Sequence, residues 1–198
     1  MVARVARLTY CSHCGAPLPH ALPVACSACG TRHWRNPKPA AAALAVRDGA
    51  LLLVRRAHDP WYGRWCAPSG FCDRDEHPIA AAERETLEET GIAVEVTGYL
   101  GTWLSYYAED DASGNGDDDE VVAVAYYHAV PVRGESGPFD RAEVTDARWF
   151  APDEIPENVA PPNAFPAVLG AWRAACAAGE TVTPLRDRPR RHAAPRRS

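Results

Sequence analysis

Apolar and polar positions alternate along this chain with two different periods, and the period predicts the element. Residues 40–57, AAAALAVRDGALLLVRRA, place Asp48-Gly49 between two apolar runs. An Asp-Gly pair accepts the positive φ angles of a two-residue hairpin turn, so two strands are predicted, the second ending at Arg55-Arg56. Residues 93–104, AVEVTGYLGTWL, alternate with period two around a glycine break, and 121–130, VVAVAYYHAV, read as a buried strand. A further strand signal lies at 147–150. Helical spacing recurs twice. Phe165, Val168, Leu169, Trp172 and Cys176 stand on one stripe of a helix predicted over 164–178, packed on the sheet. Residues 78–90 form the second helix, with Pro78 suited to a first turn and Gly91 to a left-handed stop. Between these elements, Pro152–Pro156 reads as a short helical turn.

The polar positions of the helix at 78–90 carry the chemistry. Glu85, Glu88 and Glu89 stand at i, i+3 and i+4, a sector of about 100° on one face. Leu87 lies nearly opposite, with Ala80 close to it and Ile79 on its flank, and this side is expected to face a core. Like charges at this spacing repel. A hard divalent cation removes the penalty, and carboxylate oxygens suit Mg²⁺ or Mn²⁺. The competing reading is a solvated acidic face.

The surroundings of those glutamates favour the cation. Gly70, Glu76, Arg84, Glu85, Glu88, Glu89, Gly91 and Ile92 together resemble the Nudix hydrolase box, G-x5-E-x7-R-E-U-x-E-E-x-G-U with U a bulky aliphatic residue. Thr86 stands at the first U, a position expected to pack inward. Upstream, Trp65-Cys66-Ala67-Pro68-Ser69-Gly70-Phe71 is similar to the family's W-x-x-P-G-G-x entry, with Ser69 in place of its first glycine. The resemblance implies an α+β fold, the Nudix α/β/α sandwich with a mixed β-sheet. It implies Mg²⁺- or Mn²⁺-dependent hydrolysis of a diphosphate linkage. Glu85, Glu88, Glu89 and the Gly70 carbonyl would hold the metal, Arg84 would orient a box glutamate, and Glu76 would support the loop. Glu143, in a segment like one of zinc-ribbon Nudix enzymes, would be a further catalytic carboxylate, with Glu120 its rival.

Four of the seven cysteines form two pairs, Cys11-x2-Cys14-Gly15 and Cys26-x2-Cys29-Gly30. Two residues between thiolates let both reach one metal from a tight turn, and the following glycine lets the backbone turn sharply. Four sulfurs make a closed tetrahedral site suited to structural Zn²⁺, and the segment resembles a zinc ribbon. His13, His20 and His33 are expected to be bystanders. Cys66 and Cys72 read as small apolar fillers rather than a redox pair or extra ligands. Asn36-Pro37-Lys38 is similar to the connector of zinc-ribbon Nudix proteins. The expected domains are a zinc ribbon at 8–35, a Nudix domain at 36–179, and a disordered basic tail at 180–198.

Charge refines the list of partners. The net charge of −5 divides into +5 over residues 184–198 and −10 elsewhere. An acidic body argues against general nucleic-acid binding. No apolar stretch approaches the roughly 20 residues needed to span a bilayer. An odd cysteine count with paired knuckles fits a reducing compartment, so a cytoplasmic location is expected. The run 105–120 is crowded with acidic residues and has no basic one, which reads as a solvated loop. Tyr106 or Tyr107 before it is a candidate base stack, and Arg55 or Arg56 a candidate phosphate contact. The NADH pyrophosphatases' S-Q-P-W-P-F-P-x-S run has no counterpart here, where the matching region reads GYLGTWLS. ADP-ribose or a nucleotide sugar is therefore the preferred substrate class. NADH, dinucleoside polyphosphates, and a non-enzymatic nucleotide sensor are the alternatives. A homodimer is a further expectation, because ribbon relatives often dimerise.

Overall fold

The computed structural model describes residues 8–19, 23–107, 120–132 and 142–178. His20, the acidic run 108–119, the side chains of Tyr107 and Glu120, and the basic tail lie outside the described residues.

Chain order gives β1 (Val24–Ala25), β2 (Arg32–His33), β3 (Lys38–Arg47), β4 (Ala50–Arg56), β5 (Trp65–Cys66), β6 (Ser69–Phe71), α1 (Pro78–Thr90), β7 (Val94–Tyr107), β8 (Glu120–Pro131), β9 (Val144–Phe150) and α2 (Phe165–Ala178). β1 and β2 form a two-stranded ribbon. The main sheet runs β5-β4-β3-β8-β7, with β6 added on β3 and β9 on β4. β3 pairs parallel to β8 and every other ladder is antiparallel, so the sheet is mixed.

The Asp48-Gly49 turn forms as the sequence predicts, with φ of 52° and 80°. β3 and β4 pair only beside it, at Val46–Leu51 and Arg47–Ala50. Further along they part, β3 turning to β6 and β8 while β4 turns to β5 and β9. Where they part, Glu85 of α1 lies against Gly70 of β6 and meets Glu143 just ahead of β9, and the candidate site lies there.

β3 is apolar without interruption because both of its faces are covered. Ala40, Ala42 and Leu44 pack with Phe165, Val168 and Trp172 of α2. Ala41, Ala43 and Ala45 pack with Ile79, Ala81 and Ala82 of α1. The alanines let α1 approach closely. Trp172, 1% exposed, anchors the other layer, and truncating such a side chain to Ala typically costs about 3–5 kcal/mol.

α1 corrects one sequence reading. Its bounds and caps are as expected: the His77 Nδ1 accepts the Ile79 N–H, and Gly91 takes φ 69° and donates to the Leu87 carbonyl at 2.8 Å. The buried arc, however, centres on Ala82 and Thr86. It includes Glu85 and Glu89, and it leaves Leu87 49% exposed. Thr86 and Thr90 enter the core because each hydroxyl donates to the carbonyl four residues earlier, which removes the cost of burying it. Hydrophobicity alone ranks Leu87 above them. Thr86 does pack inward, at 0% exposure.

Among the described residues no helix is long and apolar enough to cross a membrane.

Candidate active site

Arg84 organises the loop and helix. Its Nε and Nη2 donate to both oxygens of Glu76 at 2.9 and 2.8 Å, and Nη2 also donates to the Phe71 carbonyl at 3.1 Å. Its Nη1 donates to Glu85 Oε1 at 2.7 Å and to Glu88 Oε2 at 2.9 Å. Only a planar guanidinium supplies so many donors in fixed directions. Glu76 accepts the Asp73 N–H as well. Its carboxyl is held below the usual range, chiefly by the hydrogen bonds from Arg84.

Glu85 and Glu89 are buried. Glu89 Oε2 accepts the Ser69 N–H at 3.0 Å. Gly70 lies against Glu85 so closely that a methyl group on it would overlap the Glu85 carboxylate. That approach, rather than a special φ, is why glycine stands there. Glu143 arrives from the residue before β9, held by its carbonyl accepting the Ala57 N–H at 2.9 Å. Glu85, Glu89 and Glu143 each offer an oxygen, all within 4.8 Å of one another. Two oxygens on one Mg²⁺ at about 2.1 Å are at most about 4.2 Å apart, so small rotamer changes bring this set onto one ion.

Glu88 does not join the cluster. It stands on the rim of the buried arc, with its side chain 55% exposed and bound to Arg84. The spacing that places three glutamates on one face is thus divided by burial into two inward groups and one outward group.

Carboxylates this close, without a cation, resist ionisation. Burial pushes the Glu89 carboxyl up from its ordinary 4.5 to about 8, with Glu85 and Glu143 adding repulsion. Glu85 shifts the same way, again mainly by burial. In the cation-free protein the folded state therefore holds a proton on Glu89 that the unfolded chain has lost. Its stabilising contribution is complete below pH 4.5 and is lost as pH rises to about 8. The expected result is a Tm in EDTA that falls between pH 5 and 8 relative to Glu89→Gln and levels off above. Mg²⁺ affinity should rise over the same window, because the ion displaces the proton. Parallel Tm curves for the two proteins contradict this.

The remaining candidates each have partners of their own. Cys66 is buried and its thiol is pushed up to about 12 by desolvation, as suits a filler. Cys72 is half-buried against the α1 layer. Arg55 donates to the Gly63 carbonyl and Arg56 to the Pro60 carbonyl, so both shape the loop 57–64. Trp65 packs edge-on to Phe150 at 4.8 Å. Tyr106 is half-buried, and its carbonyl accepts from Asn163.

The four paired cysteines converge at the other end of the chain. Cys11 and Cys29 sulfurs lie 3.6 Å apart and Cys14 and Cys26 sulfurs 3.7 Å apart. Four sulfurs about 2.3 Å from a tetrahedral zinc are about 3.8 Å apart, so the spacing fits the ion. Gly15 and Gly30, both at φ 75°, each donate to the carbonyl of the first cysteine of the pair. His33 is more than a bystander: it is 6% exposed, and its Nε2 lies 3.2 Å from Cys11 Sγ. The signal for it in the sequence is a histidine between Arg32 and Trp34, two residues that an alternating strand sends outward together.

Residues 36–168 match the NUDIX domain. The chain belongs to the NUDIX family. A NUDIX hydrolase from Nitrosomonas europaea has the same fold, with a TM-score of 0.68 at 24% identity, covering 88% of this chain and 95% of the other. An NAD-capped RNA hydrolase NudC from Stutzerimonas stutzeri (strain A1501) is 27% identical over 158 residues, 77% of this chain and 51% of the relative. An ADP-ribose pyrophosphatase from Methanocaldococcus jannaschii is 28% identical over 126 residues, 64% of this chain and 69% of the relative. This NUDIX chain thus spans about half the length of that NudC relative.

Proposed function

We propose that this NUDIX chain hydrolyses the diphosphate linkage of a nucleoside diphosphate derivative with the help of Mg²⁺ or Mn²⁺, and that ADP-ribose or a nucleotide sugar is the preferred substrate. The observation that carries the reading is the convergence of the Glu85, Glu89 and Glu143 carboxylates. Glu85 and Glu89 hold the cation together with the Gly70 carbonyl, and Glu88 is the reserve carboxylate on Arg84. When bound, the cation neutralises diphosphate oxygens and acidifies water. Glu143, the more exposed member, takes the proton of the attacking water. Arg84 keeps Glu85 aimed, and Glu76 keeps Arg84 aimed. Loss of any one of these positions weakens alignment, which is the larger part of phosphoryl-transfer catalysis.

The four cysteines bind one structural Zn²⁺ in a ribbon at 8–35, ahead of a catalytic domain at 36–179 and a basic tail at 180–198. The ADP-ribose pyrophosphatase relative favours the substrate choice. So does GYLGTWLS in place of the S-Q-P-W-P-F-P-x-S run, which sets the chain apart from NADH pyrophosphatases. The test is release of nucleoside monophosphate from ADP-ribose, a UDP-sugar, NADH, diadenosine polyphosphates and nucleoside triphosphates, with and without Mg²⁺. ADP-ribose or the UDP-sugar should give the highest kcat/KM. A tenfold preference for NADH or a triphosphate would overturn the choice, and absence of Mg²⁺-dependent product from the whole panel would overturn the enzyme reading.

A further inference from the structure

The ribbon has an outward face that neither the cysteine cluster nor the carboxylate cluster uses. His33 turns inward to Cys11, so its neighbours Arg32 and Trp34 turn outward together. Across the ladder, Ala25 stands opposite Arg32 and Val24 opposite His33. The residues facing Arg32 and Trp34 on this side are small, Ala25 and Pro23. The result is a trough of about 140 Å³ lined by Pro23, Val24, Ala25, Arg32 and Trp34. Trp34 is 59% exposed beside it. An ordinary ligand pocket holds roughly 300 Å³ or more. The trough is well under that size, so it takes one ring rather than a whole dinucleotide.

Charge states what the ring belongs to. Residues 1–35 carry four Arg and no acidic residue. A zinc tetrathiolate subtracts two charges from those four, which leaves a net of +2. Residues 36–183 hold 11 basic and 25 acidic groups, a net of −14, and the tail at 184–198 adds +5. A polyanion is thus repelled by the body and attracted to the two ends of the chain. An exposed Trp beside an Arg, at the N-terminal one, matches the stacking platforms that hold single strands.

We infer that the outer face of the ribbon binds single-stranded nucleic acid, with one base stacked on Trp34 and a neighbouring phosphate on Arg32. The acidic body still argues against general nucleic-acid binding. The face is a local exception, and the inference stands apart from the hydrolase reading because binding is measured without turnover.

The test uses the zinc-loaded full chain without Mg²⁺ and a fluorescein-labelled 12-nucleotide single-stranded RNA that lacks a 5′ diphosphate. Anisotropy should show salt-dependent binding. Trp34→Ala should weaken it about tenfold, the loss of one base stack, while Trp34→Phe keeps most of it. Arg32→Ala should lower the slope of log K against log salt by about 0.7, one phosphate contact. Zinc content reports that the ribbon is intact, and the Arg32→Ala slope decides should Trp34→Ala lose zinc. Hydrolysis by both variants should stay within twofold of wild type. Absence of binding at 50 mM salt, or binding indifferent to both substitutions, overturns the inference. So does a Trp34→Ala variant that turns a dimer into a monomer and binds RNA as before, since the face is then an interface between copies.

Discussion

Glu89→Gln is expected to lower turnover by at least about 10³-fold with the fold intact. Lewis-acid stabilisation is worth several kcal/mol, and each step of about 1.4 kcal/mol is a factor of ten. Gln keeps an oxygen for the Ser69 N–H, so the loop at 69–71 should hold its place. The loss should therefore be in kcat, with Tm at neutral pH in EDTA unchanged or raised, because the substitution removes a buried acid crowded by Glu85 and Glu143. Glu88→Gln should be milder, about 10–100-fold, as for a group that acts through another, since in this structure Glu88 binds Arg84 and stands outside the cluster. The measurement is steady-state hydrolysis of the best substrate at saturating Mg²⁺, beside thermal melts. A folded Glu89→Gln protein with near-normal turnover sinks the metal assignment. Equal losses for Glu88 and Glu89 would show instead that Glu88 leaves Arg84 to join the ion.

Cys26→Ser is expected to unfold the ribbon and leave the catalytic layers standing. Among the described residues the ribbon's own core is Cys11, Leu18 and Cys26, with Ala16 and Val24 beside them. So small a core cannot offset the chain entropy of ordering the segment. Binding of a structural zinc is worth about 10–16 kcal/mol in small peptides, and a zinc held by the four cysteines would supply most of the ribbon's stability. Among the described residues β1 and β2 pair with each other and with no strand of the main sheet. The variant should hold no zinc where wild type holds one per chain. Limited proteolysis should remove the segment ahead of Asn36-Pro37 and stop there, and the main melting transition should move by only a few degrees. A single transition displaced far downward would show that the ribbon belongs to the same cooperative unit as the body.

Most of this fold is legible in the sequence where a period and a turn agree. Asp48-Gly49 fixes the hairpin because few residues accept its φ angles. Pro78 and Gly91 fix the ends of α1, and the paired cysteines give the ribbon. The β8 run is apolar because both of its faces are covered. What could not be read was which side of α1 goes inward. Side-chain hydrophobicity pointed to Leu87, whereas the core selected small residues and threonines able to bond their own helix. The parting of β3 from β4 was also hidden, because it depends on which strands come to cover each. That parting carries Glu143 to Glu85 and Glu89 from two strands further along the chain, a juxtaposition that no local spacing encodes. Ser69 is the reverse case: its departure from the usual glycine is harmless to the turn's one visible task, because the backbone N–H, not the side chain, meets Glu89.

The most direct test is a crystal soaked in Mn²⁺ and measured at its absorption edge. The predicted result is an anomalous peak bounded by Glu85, Glu89 and Glu143, within about 2.2 Å of carboxylate oxygens and beside the Gly70 carbonyl. No peak among those carboxylates at millimolar Mn²⁺, or the three side chains directed away from one another around an ion bound elsewhere, contradicts the account.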